Sequence, residues 1–191
     1  MLRDAYSHFR HRKYWRLSSL CYLCREINKS IEMNDSTYRK SIMDRVISLS
    51  AESVEKGGGP FAAAVVRNGE VVASGTNCVT LNNDPTAHAE VSAIRTACEK
   101  LGTFNLSDCV LYTSCEPCPM CLSAAYWARI PQVFYCNTHI DAKNIGFDDS
   151  FIYDELAKSP GERSLVLTHI DDEKALEPFR MWDRKADKTP Y

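Results

Sequence analysis

Four residues in the middle of the chain have the side chains that a catalytic metal centre requires. His88 and the Cys118-x2-Cys121 pair offer one nitrogen and two sulfur ligands, and Glu90 lies two residues after the histidine. Structural zinc sites are closed by four protein ligands, whereas catalytic zinc keeps three and leaves one position open for water. A nearby carboxylate can then move protons. The spacing therefore predicts a hydrolytic zinc centre, with His88, Cys118 and Cys121 as ligands and Glu90 as the catalytic proton carrier.

A closed, purely structural zinc site is the alternative for the same stretch. Cys115 extends the run to Cys115-x2-Cys118-x2-Cys121, so His88 and three cysteines could fill all four positions. Pro117 separates Cys115 from the helix expected after it, which favours the open site.

Two helices are expected to present these ligands. Residues 86–100 carry apolar residues at helical spacing, and Pro117 and Pro119 introduce a second helix that runs to about residue 129, because proline is tolerated at a helix start. The ligands then lie in the first turns, where the positive end of the helix dipole favours thiolates.

The remaining pattern predicts an α/β fold. A helix starts at Asp35 or Ser36 and ends at the glycine run 57–59, and strands at 60–66 and 70–75 flank Asn68-Gly69, a strong hairpin signal. Residues 77–85 form a polar loop. The later predictions are strands at 109–113, 132–136 and 165–168 and helices at 149–157 and 172–185. This order implies a mixed sheet with helices on both faces.

Composition excludes several classes of protein. The 191 residues are 45% hydrophobic and 25% charged, as in a globular domain of ordinary size. No apolar run approaches the length of a membrane span. Nine cysteines, an odd number, without a convincing secretory leader indicate reduced thiols in an intracellular, cytoplasmic setting.

Charge separates the beginning of the chain from the rest. Residues 1–30 hold seven basic and two acidic residues, whereas residues 31–191 are net acidic. An acidic body argues against a nucleic-acid partner. Residues 1–33 are interpreted as a basic extension that is a disordered arm, a mitochondrial transit peptide, or a segment upstream of a true start at Met33. Residues 34–191 are interpreted as the working domain.

From about Asp35 to Tyr191 the chain resembles the guanine deaminases, which share the cytidine deaminase fold. The His-x-Glu and Pro-Cys-x-x-Cys pattern is the signature of zinc deaminases. Residues 84–90 are also typical of tRNA adenosine deaminases, whereas residues 113–121 and the Gly-Phe-Asp-Asp-Ser-Phe run at 146–151 are closer to guanine deaminases. The resemblance implies a cytidine deaminase-like three-layer α/β/α sandwich with a mixed five-stranded sheet.

The resemblance also implies roles for individual residues. Guanine would be deaminated at C2 to xanthine and ammonia, with Zn²⁺ as the cofactor and Glu90 as the proton carrier. The residues implied to bind the purine are Asn77, Phe61, Asp149 and Tyr191. Two positions depart from the family pattern: Ala62 stands where glycine is usual, and Thr189-Pro190 precede the last tyrosine.

Members of this family are dimers whose C-terminal segment passes to the neighbouring subunit. The resemblance therefore implies a homodimer in which the tail exchanges and Tyr191 covers the partner's site. Guanosine deamination and tRNA adenosine deamination with a basic RNA-binding arm are the alternative activities. A zinc module that only binds is the non-enzymatic alternative.

Overall fold

A computed structural model describes residues 36–190 of the chain. Tyr191 and the predicted extension at residues 1–33 lie outside the described residues. The chain divides into two compact units, one ending at Asp44 and the other beginning at Arg45. Of the first unit, residues 36–44 are described, and they are helical.

Helices and strands alternate after the first helix, α1, at residues 36–55. The following elements, in chain order, are β1 (Gly59–Arg67), β2 (Glu70–Asn77), α2 (Val79–Asn82), α3 (Ala89–Leu101), β3 (Cys109–Cys115), α4 (Pro119–Trp127), β4 (Val133–Asn137), α5 (His139–Asn144), α6 (Ser150–Ala157), two 3-10 turns (Pro160–Glu162 and Glu173–Leu176) and α7 (Glu177–Arg184).

The four strands form one mixed sheet in the order β2-β1-β3-β4. β1 runs antiparallel to both β2 and β3, whereas β3 and β4 are parallel. Asn68 and Gly69 both have positive φ, as the tight hairpin turn between β1 and β2 requires. The predicted α/β class and mixed sheet are confirmed.

Small side chains bring α3 close to the sheet. The core between them contains Ala63 and Val65 of β1, with Ala93, Ile94 and Ala97 of α3. Their burial supplies the main drive for packing this helix on the sheet.

The start of α3 lies almost in contact with β2 at Gly75. A Cβ at Gly75 would lie 2.6 Å from the Ala89 carbonyl oxygen, so only glycine fits there. This approach fixes the position of the first turn of α3, which follows His88.

The predicted strand at residues 165–168 is wrong, and the sheet within residues 36–190 has four strands in place of five. Leu165, Val166 and Leu167 have no regular structure and are 72%, 78% and 61% exposed. Strand propensity reflects packing on a half-buried pleated surface. Among the described residues no sheet edge pairs with this segment.

Three further boundaries differ from the sequence prediction. The polar loop at residues 77–85 contains the short helix α2, and α5 was not predicted. The helix expected at residues 172–185 is a 3-10 turn followed by α7, with Pro178 in the first turn of α7. Proline is compatible with a helix start but not with a continuous helix through it.

None of the described helices has the length and apolar character that crossing a membrane requires.

Candidate active site

The loop before α3 holds His88 in an extended conformation at the N-cap position. Asp84 Oδ1 accepts hydrogen bonds from the backbone N–H of Thr86 at 2.8 Å and from its hydroxyl at 2.7 Å. The His88 N–H donates to the Thr86 carbonyl at 2.8 Å. The sequence Asp-Pro-Thr thus forms a tight turn that places His88 at the N-terminal end of α3.

The second helix presents the two cysteines in a similar way. Cys118 is the N-cap of α4, Pro119 follows at the first helical position, and Cys121 lies buried in the first turn. Neither His88 nor Cys118 makes the side-chain hydrogen bond that N-cap residues usually make. Both side chains are therefore available as ligands.

The three predicted ligands converge on one point. His88 Nδ1 lies 3.6 Å from Cys118 Sγ and 3.5 Å from Cys121 Sγ. All three ligand atoms lie within 4.8 Å of one another. Among the described residues, this is the one group of at least three such side chains that is close enough together to hold a metal ion. Zinc binds sulfur at about 2.3 Å and imidazole nitrogen at about 2.0 Å with tetrahedral angles, which separates the two ligand atoms by about 3.5 Å. The donor set and its spacing fit zinc.

Electrostatics within this ligand group favour a thiolate. Hydrogen bonds from Cys121, and secondarily from His88, lower the pKa of the Cys118 thiol far below its usual value. The hydrogen bond to Cys118 in turn raises the pKa of His88. A deprotonated sulfur is the form that coordinates a metal ion.

Cys115 does not belong to the ligand group. It ends β3, and its thiol donates a weak hydrogen bond to the Thr138 carbonyl at 3.5 Å. Burial raises the pKa of the Cys115 thiol to about 11. A neutral thiol bonded elsewhere supports three protein ligands, and therefore the open site.

Glu90 lies beside the ligands on the first turn of α3 and is only 6% exposed. Its Oε1 accepts a hydrogen bond from the Thr113 hydroxyl at 3.0 Å, and its Oε2 accepts one from the Cys121 thiol at 3.4 Å. Burial raises the pKa of the Glu90 carboxyl above its ordinary value. A carboxyl that is less acidic than usual is better suited to take up and release a proton near neutral pH.

A cavity of about 590 Å³ opens over this group. The predicted site residues that line it are His88, Glu90, Cys118, Asn77, Phe61 and Asp149. Cys121, the third predicted ligand, is buried. Tyr191, the remaining predicted site residue, lies outside the described residues.

Two glycines bring the end of α1 and the start of β1 against Asn77. A Cβ on Gly59 would lie 3.1 Å from Cγ and Oδ1 of Asn77, and one on Gly58 would lie 2.6 Å from the Asn77 carbonyl oxygen. Oδ1 of Asn77 also accepts a 3.3 Å hydrogen bond from the Val79 N–H. These contacts hold the Asn77 amide at the cavity wall.

The two adjacent aspartates at the start of α6 have different environments. Asp148 Oδ1 accepts hydrogen bonds from both the N–H and the hydroxyl of Ser150, and Lys143 forms a 3.0 Å ion pair with Oδ2. Asp149 occupies the N-cap position but makes no capping hydrogen bond. Desolvation raises the pKa of the Asp149 carboxyl. Asp148 thus serves the local fold, and the Asp149 carboxylate remains available at the cavity.

Phe61 belongs both to the core and to the cavity wall. It packs against the buried cluster of the sheet, and its ring meets the Phe147 ring edge to face at 4.9 Å. The pair forms an apolar wall suited to a flat aromatic ligand.

Sequence reasoning missed four residues of this site: Thr113, Phe147, Glu116 and His139. His139 lines the cavity, and its Nδ1 lies 2.9 Å from Glu116 Oε2. The Glu116–His139 and Glu90–Thr113 pairs each join residues 23 positions apart. No local spacing signals such contacts.

Comparisons with known proteins agree with this geometry. The cytidine and deoxycytidylate deaminase zinc-binding region matches residues 36–137. Guanine deaminase of Bacillus subtilis is 51% identical over 160 residues, which cover 83% of this chain and all of that protein. The X-ray structure of that enzyme covers 80% of this chain and 98% of its own, with a TM-score of 0.77.

Two further relatives match a smaller part of the chain. A structure of guanine deaminase from Nitrosomonas europaea is 38% identical, covers 56% of this chain and 63% of its own, and has a TM-score of 0.54. The tRNA-specific adenosine deaminase of Aquifex aeolicus is 42% identical over 102 residues, or 53% of this chain and 66% of that protein. The likeness to B. subtilis guanine deaminase therefore extends well beyond the region shared with the tRNA enzyme.

Proposed function

The chain belongs to the guanine deaminase family of zinc-dependent deaminases, and on this premise we propose that it hydrolyses guanine to xanthine and ammonia. The observation that carries the proposal is the ligand group of His88, Cys118 and Cys121 with the buried Glu90 carboxylate beside it. The group lies at a cavity whose wall contains an amide, a carboxylate and a phenyl ring.

His88, Cys118 and Cys121 would hold the cofactor. When bound, zinc supplies a hydroxide nucleophile at neutral pH by lowering the pKa of water to about 7. In our proposal the open fourth position follows from the separate hydrogen bond of Cys115 to Thr138.

Glu90 would carry the protons of the reaction. One of its oxygens accepts a proton from the attacking water and delivers it to the ring nitrogen next to C2. The C–O bond forms in this step. The remaining proton of that water, now on the C2 oxygen, would then pass through Glu90 to the exocyclic amine, so that the C–N bond breaks and ammonia leaves. The position of Glu90 Oε2, next to the Cys121 sulfur, supports this role because proton transfer requires hydrogen-bonding distance.

Asn77, Asp149 and Phe61 would recognise the purine. Guanine presents a ring N–H and an exocyclic amine as donors, which a carboxylate accepts. The Asp149 carboxylate is suited to this role because Asp148 takes over the local hydrogen bonds of the turn. Asn77 would bond the opposite edge of the base, and Phe61 would contact its face.

We further propose a homodimer in which the C-terminal segment packs on the partner subunit. Residues 150–190 contain no buried residue, although they include Leu165, Val166 and Phe179. Tyr126 on α4 is 74% exposed. Apolar surface on this scale is typical of an interface. In that dimer Tyr191 would complete the site of the partner.

A cytoplasmic location fits the free thiols of all seven cysteines in residues 36–190, since disulfides are rare in that compartment. Targeting of residues 1–33 to mitochondria is the alternative. Residues 34–191 would form the catalytic domain in either case.

Ammonia release from guanine, guanosine, adenosine and cytosine by the zinc-loaded protein tests the proposal. Guanine should be turned over with the highest kcat/KM of the four. A tRNA containing a target adenosine is the fifth substrate. Faster turnover of any other substrate, or no turnover of guanine at neutral pH, would contradict guanine as the substrate.

A further inference from the structure

Thr113 contacts Glu90 from a different element of the fold. It lies in the middle of β3 with no exposed surface, and its hydroxyl donates to Glu90 Oε1 at 3.0 Å. The other acceptor within reach, the Ala62 carbonyl oxygen, is 3.4 Å away. A hydroxyl has one proton to donate, and a carboxylate is the stronger acceptor. The bond to Glu90 is therefore the favoured one.

The two oxygens of Glu90 have different partners. Oε1 faces the Thr113 hydroxyl, whereas Oε2 faces the Cys121 sulfur. Cys121 can donate to Oε2 only while it is a neutral thiol, and as a zinc ligand it is a thiolate without a proton. In the metal-binding state, Thr113 therefore remains as the side-chain donor that holds this carboxylate.

We propose that Thr113 is a positioning residue that fixes the orientation of the Glu90 carboxylate, with Oε1 bound and Oε2 facing the ligand group. The inference rests on the proposed function, because it assigns how the proton carrier is held. Oε2 then lies free for proton transfer, and the carboxylate does not rotate between two arrangements.

The sheet makes Thr113 a rigid anchor for this purpose. Its backbone pairs with Ala63 of β1 on one side and with Tyr135 of β4 on the other. A β-branched side chain in a strand also has restricted χ1. The hydroxyl is therefore placed by the sheet, while Glu90 is placed by α3, and the hydrogen bond joins the two.

Substitution of Thr113 by valine and by serine tests the proposal. Thr113→Val keeps the shape but removes the hydroxyl, and Thr113→Ser keeps the hydroxyl but removes the methyl group. We expect Thr113→Val to lower kcat about 10- to 100-fold, because a displacement of about 1 Å in a catalytic group can cost that much. KM for guanine, Ki for the product xanthine and the zinc content should stay within about twofold, and Thr113→Ser should recover most of the kcat.

A structural readout separates this inference from the identity of the substrate. In crystals of the zinc-loaded proteins, Glu90 should adopt one orientation in the wild type and a rotated or double conformation in Thr113→Val. Absence of guanine turnover in the wild type would contradict the proposed function alone. An unchanged Glu90 orientation in the Val variant would overturn the role of Thr113 whatever the substrate is.

Two kinetic outcomes would also overturn it: Thr113→Val with the kcat of the wild type, or Thr113→Ser as slow as Thr113→Val. Loss of zinc from Thr113→Val would overturn it as well. If Thr113→Val fails to fold, Thr113→Ser and Thr113→Ala carry the same comparison, since they differ only by the hydroxyl. Thr113→Ser should then exceed Thr113→Ala in kcat by about tenfold, and equal values would contradict the inference.

Discussion

At the scale of single residues, Glu90 is distinguished by being nearly buried while it carries an ionisable group. Burial of a carboxylate is costly unless hydrogen bonds compensate it. Thr113 and Cys121 supply such bonds. Burying an ionisable group here costs more free energy than a purely structural side chain would. Such buried ionisable groups are typical of residues that take part in catalysis.

We expect Glu90→Gln to retain zinc and lose most of its turnover. Glutamine keeps the size and can still accept the Thr113 hydrogen bond, but it cannot take up a proton. General acid–base catalysis contributes about 10²- to 10⁴-fold, so kcat should fall by that factor. Zinc content by elemental analysis and kcat by ammonia release check this. Near-normal activity with full zinc content would refute the proton-carrier role.

The residues of the candidate metal site could be grouped from the sequence because their spacing is local. His88 and Glu90 share one helix start, and Cys118 and Cys121 share another. Thr113 could not be found in this way, because it meets Glu90 only through the packing of β3 against α3. The separate tasks of the neighbouring residues Asp148 and Asp149 likewise depend on backbone geometry that composition does not reveal.

At the scale of elements, the α5–α6 connection sets the position of Asp149. Ser150 and Lys143, in that order, hold the pKa of the Asp148 carboxyl at about 2. The unfolded value is about 3.9. Since the folded value is the lower one, the stabilisation is complete above the unfolded pKa and is lost as the pH falls toward 2. Between pH 5 and 9 the Asp148 carboxylate therefore stays ionised, and its contribution to stability does not change with pH.

Asp148→Ala should loosen the start of α6 and weaken guanine binding. We expect KM to rise several-fold with little change in kcat, because the carboxylate that holds Ser150 at the start of α6, next to Asp149, is lost. Asp154→Ala, an exposed position on the same helix, is the control and should match the wild type. An NMR titration should give Asp148 a pKa of about 2, and a midpoint near 4 would show that the anchor is absent.

Elements with a strong local signal were predicted well, and the others were not. The hairpin follows from Asn68-Gly69, α3 follows from its apolar spacing, and the start of α4 follows from Pro117 and Pro119. The helix α5 is short, but its Thr138–Asp141 capping box is a recognisable local signal for its start. The strand expected at residues 165–168 shows the opposite failure, because apolar residues alone do not create a pairing edge.

At the scale of the whole molecule, the exposed C-terminal segment is the main feature that a single chain leaves unexplained. If the tail of one subunit completes the site of its partner, a mixture of two defective variants should regain activity. Glu90→Gln supplies an intact tail, and Tyr191→Ala supplies an intact Glu90. Co-refolding both in equal amounts should restore about a quarter of wild-type kcat/KM, because half of the dimers are mixed and each holds one complete site.

The control for this mixture is each variant refolded alone, which should stay inactive or weakly active. Light scattering should give a mass of two chains. No recovery in the mixture, together with a monomer mass, would rule out tail exchange.

Removal of zinc should lower the stability of the whole domain and not only its activity. Ligand binding to the folded state stabilises it by about 4 kcal/mol at a thousandfold excess over Kd, which corresponds to a melting temperature lower by about 10 °C after chelation. Calorimetry with and without a chelator measures this. His88→Ala is the matched control, since its melting temperature should not respond to the chelator.

The two helix starts that lack ordinary caps carry a consequence for the life of the protein in a cell. His88 and Cys118 occupy positions where serine or aspartate would close the helix by itself. Binding of the ion would therefore further stabilise the N-terminal ends of α3 and α4. Chains made during zinc shortage should open at these ends more often and be degraded faster. Scarcity of the metal should accordingly reduce the abundance of this enzyme, and few inactive copies should accumulate.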